Sequence, residues 1–223
     1  MEYSQREYNV LKDEKSNLYY REGSYDKEII KEIKPTYSWM PVKDKIVLDI
    51  GGCFGAYSAL ALKEGAKEVY VYEPLETNFN VLKKNVADYP NCFAYMKALV
   101  PDESKSVDFF VNKKRFNLGN SSQYIKRGRM KLSVEAVNFK KELERIKPEV
   151  VKVDCEGAEY NLFSQLEEIP EYIKYLTMEI HLGRKDWRET YAPQLIEKFK
   201  DWECIKAPKL TGKNWNTIGK WRR

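Results

Sequence analysis

Short apolar segments alternate along the chain with segments whose apolar residues recur every three or four positions. The apolar segments are rich in Val, Ile and Tyr and predict five β-strands: IVLDI (46–50), EVYVYE (68–73), NCFAYMKALV (91–100), EVVKVD (149–154) and YLTMEIH (175–181). The segments between them predict helices over residues 55–64, 76–87, 158–168 and 188–202. Strands that alternate with helices are typical of an α/β fold, in which a doubly wound, mostly parallel sheet carries helices on both faces.

Further segments extend this pattern in the middle of the chain and at both ends. SVDFFV (106–111) and MKLSVEAV (130–137) predict two strands inserted between the third and fourth main strands. WECIKAP (202–208) and WNTIGKWRR (215–223) predict an antiparallel hairpin at one sheet edge, which brings the main sheet to seven strands. A helix over SYDKEIIKEI (24–33) is predicted to precede the sheet.

The composition fits a single folded domain. The chain has 223 residues, of which 43% are hydrophobic and 33% are charged, and its formal net charge is +5. A chain of this length predicts a single domain, in which residues 41–223 form the α/β part and residues 1–40 precede it as an N-terminal entry or lid segment. The mild positive charge permits an anionic partner without requiring one.

Targeting and redox signals point to a cytoplasmic protein. No apolar run approaches the roughly 20 residues that cross a bilayer, and the polar N-terminus does not read as a signal peptide. The four cysteines lie far apart without a CxxC pair, so neither a zinc site nor a disulfide framework is expected. The sequence is also compatible with one module of a larger enzyme, and it does not specify an oligomeric state.

A glycine-rich loop flanked by two acids suggests a cofactor. GGCFG (51–55) follows the first strand, Asp49 precedes it, and Glu73 ends the second strand, where a carboxylate accepts hydrogen bonds from ribose hydroxyls. The loop lacks the GxGxxG spacing that seats a pyrophosphate. Asp49 would repel a pyrophosphate but suits a cationic sulfonium. The residues therefore favour S-adenosylmethionine over NAD, with a bare strand–helix turn as the simpler alternative.

Several segments resemble known methyltransferases. DIGGCFGAYS (49–58) and VYEPLETNFNVLKKN (71–85) resemble the first two motifs of class I methyltransferases. VVKVDCEGAEYNLF (150–163) resembles the (I/V)K(I/V)DxEGxE segment of the FkbM-like family, and YYREGSYDKEIIKEI (19–33) and MEIH (178–181) are similar to two further segments of that family. One departure is Gly-Cys after the first loop glycine, where the family often has Ala-Asn. The resemblance implies a seven-stranded Rossmann-like sheet, S-adenosylmethionine as cofactor, and methyl transfer to a hydroxyl of a sugar or other natural product.

The predicted cofactor contacts lie in the glycine loop and at strand ends. Asn78 is placed to help hold the ribose or to cap a helix. Ala98 and Leu99 end the third strand, where they would pack on an adenine or belong to the core, and Ser121 lies in a polar loop that would reach the cofactor or face solvent. The full set is Asp49, Gly51, Gly52, Cys53, Phe54, Gly55, Glu73, Pro74, Asn78, Ala98, Leu99, Ser121, Asp154 and Glu156.

The candidate chemistry lies where the fourth and fifth strands end. A sugar hydroxyl is a poor nucleophile near neutral pH, so a base or a metal is expected to assist it. Asp154 ends the fourth strand and His181, the only histidine, ends the fifth. We predict that His181 accepts the hydroxyl proton while Asp154 orients it or holds a metal. A packing role for His181 and a helix N-cap role for Asp154 are the alternatives.

Strand alternation suggests how these residues pair. Lys152 shares a strand face with Asp154, and Glu179 shares one with His181. If the strands are neighbours in register, Lys152 forms a buried salt bridge with Glu179, below Asp154 and His181. A divalent metal such as Mg²⁺ or Mn²⁺ would be held by Asp154 and Glu156, although no ligand spacing is diagnostic. Nearby Glu159 is a further candidate for the metal, and both Glu156 and Glu159 could otherwise contact the cofactor's amino group or favour a helix N-terminus.

A basic segment leaves a rival acceptor open. Seven basic residues lie close together in the sequence, with two aromatic residues among them. Such a segment could bind a single-stranded nucleic acid or a phosphorylated sugar, or it could be a solvent-exposed surface loop. The residues are Lys113, Lys114, Arg115, Lys126, Arg127, Arg129 and Lys131, with Phe116 and Tyr124. An RNA 2′-O-methyltransferase would use a Lys-Asp-Lys-Glu set, but Lys152 lies in the same strand as Asp154, which is the wrong arrangement. A nucleic-acid partner is therefore less favoured.

The expected function follows from the cofactor loop and the resemblance together. It is S-adenosylmethionine-dependent O-methylation of a sugar hydroxyl, with a deoxysugar of a glycan or glycoconjugate as the expected acceptor. An RNA or small natural-product O-methyltransferase is the alternative. A degenerate binding module would have a broken cofactor loop, whereas this loop keeps its acids and glycines.

Overall fold

The computed structural model describes residues 8–112 and 129–223. Ser121 and most of the basic segment therefore lie outside the described residues. The strands are β1 Val10–Lys12, β2 Tyr19–Arg21, β3 Ile46–Ile50, β4 Glu68–Tyr72, β5 Cys92–Tyr95, β6 Ala98–Val100, β7 Ser106–Asn112, β8 Arg129–Asn138, β9 Val150–Val153, β10 Tyr175–His181, β11 Glu203–Lys206 and β12 Asn216–Arg222. The α-helices are α1 Asp26–Tyr37, α2 Ala56–Lys63, α3 Glu76–Val86, α4 Phe139–Ile146, α5 Glu159–Ser164 and α6 Ala192–Glu197, with a π-helical turn over Trp187–Tyr191.

A mixed seven-stranded sheet forms the centre of the fold. Its strand order is β11-β12-β10-β9-β3-β4-β5. The five strands from β10 to β5 in this order are parallel, and β12 is antiparallel to both β10 and β11. The predicted doubly wound, mostly parallel sheet with an antiparallel C-terminal hairpin is confirmed.

Side chains that alternate along the central strands bury two separate cores. On β3, Val47 packs in a core with residues of α2 and α3, whereas Leu48 packs in a core with residues of α4, α5 and α6. Both side chains are fully buried. Helices therefore cover both faces of the sheet, as a nearly continuous apolar run in a central parallel strand predicts.

The third predicted strand, 91–100, is in fact two strands in different sheets. β5 pairs with β4 in the main sheet, and the chain leaves that sheet at Met96 and Lys97. β6 then pairs in parallel with β8, which pairs antiparallel with β7 to form a three-stranded sheet. One charged residue, Lys97, interrupts the apolar run, and it does not identify the break because the segments on both sides of it are strands.

Short elements account for the other differences. The hairpin of β1 and β2 and helix α4 were not predicted. In α4 the helix begins where the Asn138 side chain accepts a hydrogen bond from the Lys141 amide at 2.9 Å. The helix predicted over 188–202 begins as the π-helical turn and continues only as α6, with Pro193 at its start, where a missing amide hydrogen costs little.

The topology brings four strand ends to one edge. β3, β4, β9 and β10 are parallel, so the residues that follow Ile50, Tyr72 and Val153, together with His181, lie at the same edge of the sheet. This carboxyl edge is where open α/β sheets bind ligands. Within residues 8–112 and 129–223, no helix has the length and apolarity that a bilayer crossing needs.

Candidate functional site

The glycine loop is packed tightly between two strand ends. Gly51 has φ +78°, and a Cβ atom there would lie 1.8 Å from the Asp154 carbonyl oxygen, so no other residue fits without moving the backbone. The amides of Gly51 and Gly52 both donate to the Tyr72 carbonyl oxygen at 3.0 Å. The loop is therefore fixed against the ends of both β4 and β9.

Glu73 is buried directly beside this loop. One carboxylate oxygen accepts hydrogen bonds from the Leu75 amide and the Asn78 side chain, each at 3.0 Å, and the other accepts from the Cys53 amide at 2.9 Å. Burial raises the pKa of Glu73 to about 7, although these hydrogen bonds and Arg21 oppose the shift. The acid thus faces the glycine loop in a fixed position.

One cavity connects this loop to the ends of β9 and β10. Eleven of the predicted cofactor residues line it: Gly51, Gly52, Cys53, Phe54, Glu73, Pro74, Asn78, Ala98, Leu99, Asp154 and Glu156. Lys152 and Glu179 line it as well. Helix α1, which lies within the N-terminal segment 1–40, contributes one wall through Ile29, Glu32, Ile33, Thr36 and Tyr37, none of which was singled out from the sequence. Among the described residues, the lining does not include Asp49, Gly55 or His181.

Asp49 lies beneath the loop and holds Lys152. Its carboxylate is 3.1 Å from the Lys152 ammonium and accepts a 2.7 Å hydrogen bond from Ser58. The Lys152 ammonium also donates to the Gly51 carbonyl at 2.5 Å. Burial alone would lower the pKa of Lys152, but Asp49 and Asp154 raise it above its usual value. The pair therefore supports the loop from below as an ion pair.

The predicted Lys152–Glu179 salt bridge is wrong. The register pairs Lys152 with Thr177 on β10 and with Asp49 on β3, so its acid partner lies on the opposite neighbouring strand. Glu179 instead accepts a hydrogen bond from the Asn216 side chain on β12. A strand pattern shows which residues share a face but not the register between strands.

Three glutamates surround His181. The ring Nδ1 lies 3.1 Å from a Glu159 carboxylate oxygen, which also accepts the His181 amide at 2.8 Å. The ring Nε2 lies 3.5 Å from Glu156 and 3.8 Å from Glu179. Glu159 was considered only as a contact for the cofactor, a metal or a helix end, and its partnership with His181 was not predicted. Their separation of 22 residues gives no local signal.

The charges in this cluster shift one another's pKa values. Burial alone would lower the pKa of His181, but Glu159 and Glu156 hold it well above the usual value. Burial raises the pKa of Glu156 to about 8 and that of Glu179 to about 7. Burial would also raise the pKa of Glu159, yet His181 brings it below its usual value. The cluster contains more carboxyl groups than cationic groups, and the neighbouring acids, Asp154 among them, add to the effect of burial on Glu156 and Glu179.

Asp154, Glu156 and His181 are arranged as potential metal ligands. Each offers one ligand atom, and the three atoms lie within 4.8 Å of one another. Glu156 also has a left-handed backbone, with φ +55°, which is uncommon for a residue other than glycine. Backbone of this kind occurs preferentially at functional sites.

The family match decides the identity of this fold. The chain matches the model described as "Methyltransferase FkbM domain" over residues 49–203, which is more than half of its length. The chain belongs to the FkbM methyltransferase family. It is accordingly an S-adenosylmethionine-dependent methyltransferase, and the resemblance of the β9 segment to the FkbM-like family is confirmed.

Solved structures of other methyltransferases are similar at low identity. The ribosomal protein L11 methylase from Lactobacillus delbrueckii subsp. bulgaricus has a TM-score of 0.49 and 11% identity, over 88% of this chain and 79% of that one. The magnesium protoporphyrin IX methyltransferase from Synechocystis PCC 6803 with bound S-adenosylmethionine has a TM-score of 0.49 and 11% identity, over 89% and 79%. Fibrillarin from Aeropyrum pernix, with natively bound S-adenosylmethionine, has a TM-score of 0.46 and 14% identity, over 98% and 85%.

These structural likenesses are too distant to say anything about the acceptor of this FkbM methyltransferase. A comparison with curated proteins found no significant match. The family assignment rests on the match over residues 49–203.

Proposed function

We propose that this FkbM methyltransferase transfers a methyl group from S-adenosylmethionine to a sugar hydroxyl, with a deoxysugar of a glycan or glycoconjugate as acceptor. The observation that carries the proposal is the single cavity that joins Glu73 and the glycine loop to Asp154, Glu156 and Glu179. Cofactor and acceptor would meet where that cavity reaches the acids.

The cavity suits the parts of the cofactor in order. Glu73 would accept hydrogen bonds from the ribose hydroxyls, and buried Ala98 and Leu99 would pack against the adenine. The sulfonium would then face the end of β9, where Asp154 supplies a carboxylate of the opposite charge. Asp49 would act indirectly, because it holds Lys152 beneath the loop.

The acid cluster suits proton removal from a hydroxyl. Glu179 lines the cavity, whereas His181 lies behind it and is held by Glu159. In this proposal Glu179 faces the hydroxyl and accepts its proton, and its pKa of about 7 suits a base that works near neutrality. His181 takes part through its contact with Glu179 rather than by touching the acceptor directly.

A divalent cation such as Mg²⁺ or Mn²⁺ belongs to the proposal. Carboxylates are the side chains that suit these ions, and the carboxylates of Asp154 and Glu156 hold their ligand atoms close together, with His181 beside them. The excess of carboxylates over cationic groups in the cluster also favours a bound cation. A cation there would lower the pKa of a hydroxyl bound beside it.

Trp215 supports a sugar as the acceptor. Its side chain is 72% exposed, more than any other large hydrophobic residue that the structure describes. The ring lies over Gly183, where a Cβ atom would come within 2.8 Å of it, and the neighbouring Asn216 donates to Glu179. An indole in this position offers a flat surface to the C–H face of a sugar ring. Trp187 is buried and the indole of Trp39 donates to Thr177, so neither is as available.

Trp215→Ala should raise the KM for a glycoside acceptor about tenfold, because losing a stacked indole costs on the order of 1–2 kcal/mol. The kcat and the Kd for S-adenosylmethionine should change little, since the indole lies outside the cofactor cavity. Ile205→Ala is the matched control, because Ile205 is another exposed apolar residue, on β11. An unchanged KM, or an equal loss in the control, would remove Trp215 from the acceptor site.

The acceptor class is tested by transfer of a labelled methyl group to two panels, deoxysugar glycosides and short RNAs, each with and without a chelator. Label in a glycoside is the expected result, and its loss with chelator, with recovery on added Mg²⁺ or Mn²⁺, would support the cation. Label only in RNA would replace the sugar by the alternative acceptor. Label in neither panel, with the cofactor bound, would contradict the sugar assignment.

A further inference from the structure

A buried arginine from the N-terminal hairpin reaches the cofactor site. Arg21 ends β2, and only 1% of it is exposed. Its guanidinium donates to both carboxylate oxygens of Asp26, at 2.8 and 2.7 Å, and its amide donates to the same carboxylate at 2.9 Å. This bidentate geometry holds the guanidinium plane in one orientation.

The other side of the guanidinium contacts residues of the cofactor site. One terminal nitrogen donates to the Asn78 side-chain oxygen, and the other lies 3.8 Å from the Cys53 sulfur. The Asn78 side-chain nitrogen donates to Glu73 at 3.0 Å. A continuous chain of contacts thus runs from Asp26 through Arg21 and Asn78 to Glu73.

The donors and acceptors in this chain fix the direction of the Asn78 amide. Arginine only donates hydrogen bonds, so the Asn78 oxygen must face Arg21. The Asn78 nitrogen is then left to donate to Glu73. Without Arg21 the amide would be free to turn over, and Glu73 would lose a donor that holds one of its oxygens.

A second contact holds the same hairpin against the loop. The Asn85 side chain accepts a hydrogen bond from the Tyr19 amide at 2.6 Å and donates to the Tyr19 carbonyl at 2.9 Å. Its nitrogen also lies 2.8 Å from the Phe54 carbonyl oxygen in the glycine loop. Strand β2 is therefore attached at two points to helix α3, and both attachments continue to the cofactor site.

We propose that Arg21 is a positioning residue for the ribose of the cofactor, acting through Asn78 on Glu73. The proposal rests on the placement of the ribose at Glu73 in the proposed function. In this proposal, the N-terminal residues 19–26 complete the part of the site that binds the ribose. These residues lie outside the range 49–203 that matches the family model.

Binding of two ligands separates this role from a merely structural one. The ligands are S-adenosylhomocysteine and its analogue that lacks both ribose hydroxyls. Calorimetry should show that Arg21→Lys raises the Kd for S-adenosylhomocysteine about tenfold and leaves the Kd for the analogue within about twofold. Lysine keeps the charge but lacks the planar fork that contacts Asp26 and Asn78 together. At saturating S-adenosylmethionine, kcat should stay near the wild-type value.

Asn78→Ala tests the same link without touching the N-terminal segment. Its effect and that of Arg21→Lys on the Kd should not add, because both break one chain of contacts. Arg222→Lys is the control, since Arg222 makes a similar bidentate contact with Glu203 on the surface and should leave both Kd values unchanged.

Three results would overturn the proposal: additive effects, an equal loss of affinity for both ligands, or no loss for either. The wild-type protein separates this failure from failure of the proposed function. If the wild type binds both ligands equally, the ribose does not lie at Glu73. Both the placement of the ribose and the proposed role of Arg21 are then wrong. If the wild type discriminates between the ligands and Arg21→Lys discriminates equally well, only the role of Arg21 is wrong.

Discussion

Glu179→Gln should lower kcat by about 10²–10⁴-fold, which is the usual contribution of a general base. Glutamine has nearly the same shape and its carbonyl oxygen still accepts the hydrogen bond from Asn216, so the cavity wall should keep its form. It cannot accept the hydroxyl proton. The Kd for S-adenosylmethionine should change less than threefold, because Glu179 lies on β10, three strands away from β4, the strand that Glu73 follows.

Single-turnover methyl transfer, with the cofactor Kd measured in parallel, checks this prediction. His181→Ala should also lower kcat far more than cofactor binding, although it leaves Glu159 buried without its partner, so its unfolding must be recorded as well. Unchanged turnover in Glu179→Gln would show that the proton goes elsewhere. Unchanged turnover in both variants would remove this cluster from the chemistry.

Lys152→Met should lower the free energy of unfolding by about 3–5 kcal/mol, because it leaves a buried charge without its partner. Asp49 is fully buried and only 5% of the Lys152 side chain is exposed, so water cannot replace the lost ion pair. The loop should also loosen, since Lys152 donates to the Gly51 carbonyl. Urea denaturation of the wild type and the variant measures the difference.

Two further variants show whether the loss of stability in Lys152→Met comes from the unpaired buried charge. Replacing both partners, as Asp49→Leu with Lys152→Met, should recover most of the lost stability, because no unpaired charge then stays buried. Arg222→Met, which breaks the exposed pair with Glu203, should cost less than about 1 kcal/mol. A small loss for Lys152→Met, similar to that for Arg222→Met, would mean that water reaches Asp49.

Much of the sheet was predictable because its strands are buried on both faces. β3 and β10 have the predicted bounds, 46–50 and 175–181, since Val- and Ile-rich runs between helical patterns leave few alternatives. The break between β5 and β6 was not predictable. The chain passes from the main sheet to the three-stranded sheet there, but the residues on both sides of the break have the composition of a strand. Nothing local to Met96 and Lys97 indicates the change.

The site was predictable in its parts but not in its pairings. Glu73 and the glycine loop carry a local signal, and the structure places them together as expected. Lys152 was paired with the wrong strand, because register depends on the whole sheet. Arg21 and Asn78 are 57 residues apart, and Glu159 and His181 are 22 residues apart. Contacts over such separations arise only when the chain is folded.

The most direct measurement of the central claim is a crystal structure of the protein with S-adenosylhomocysteine. The account predicts that the ribose hydroxyls lie within about 3 Å of Glu73, at hydrogen-bonding distance. It also predicts that the sulfur points toward Asp154 and Glu179, where the acceptor would enter. A ligand whose ribose does not touch Glu73, or whose sulfur points away from these acids, would contradict it.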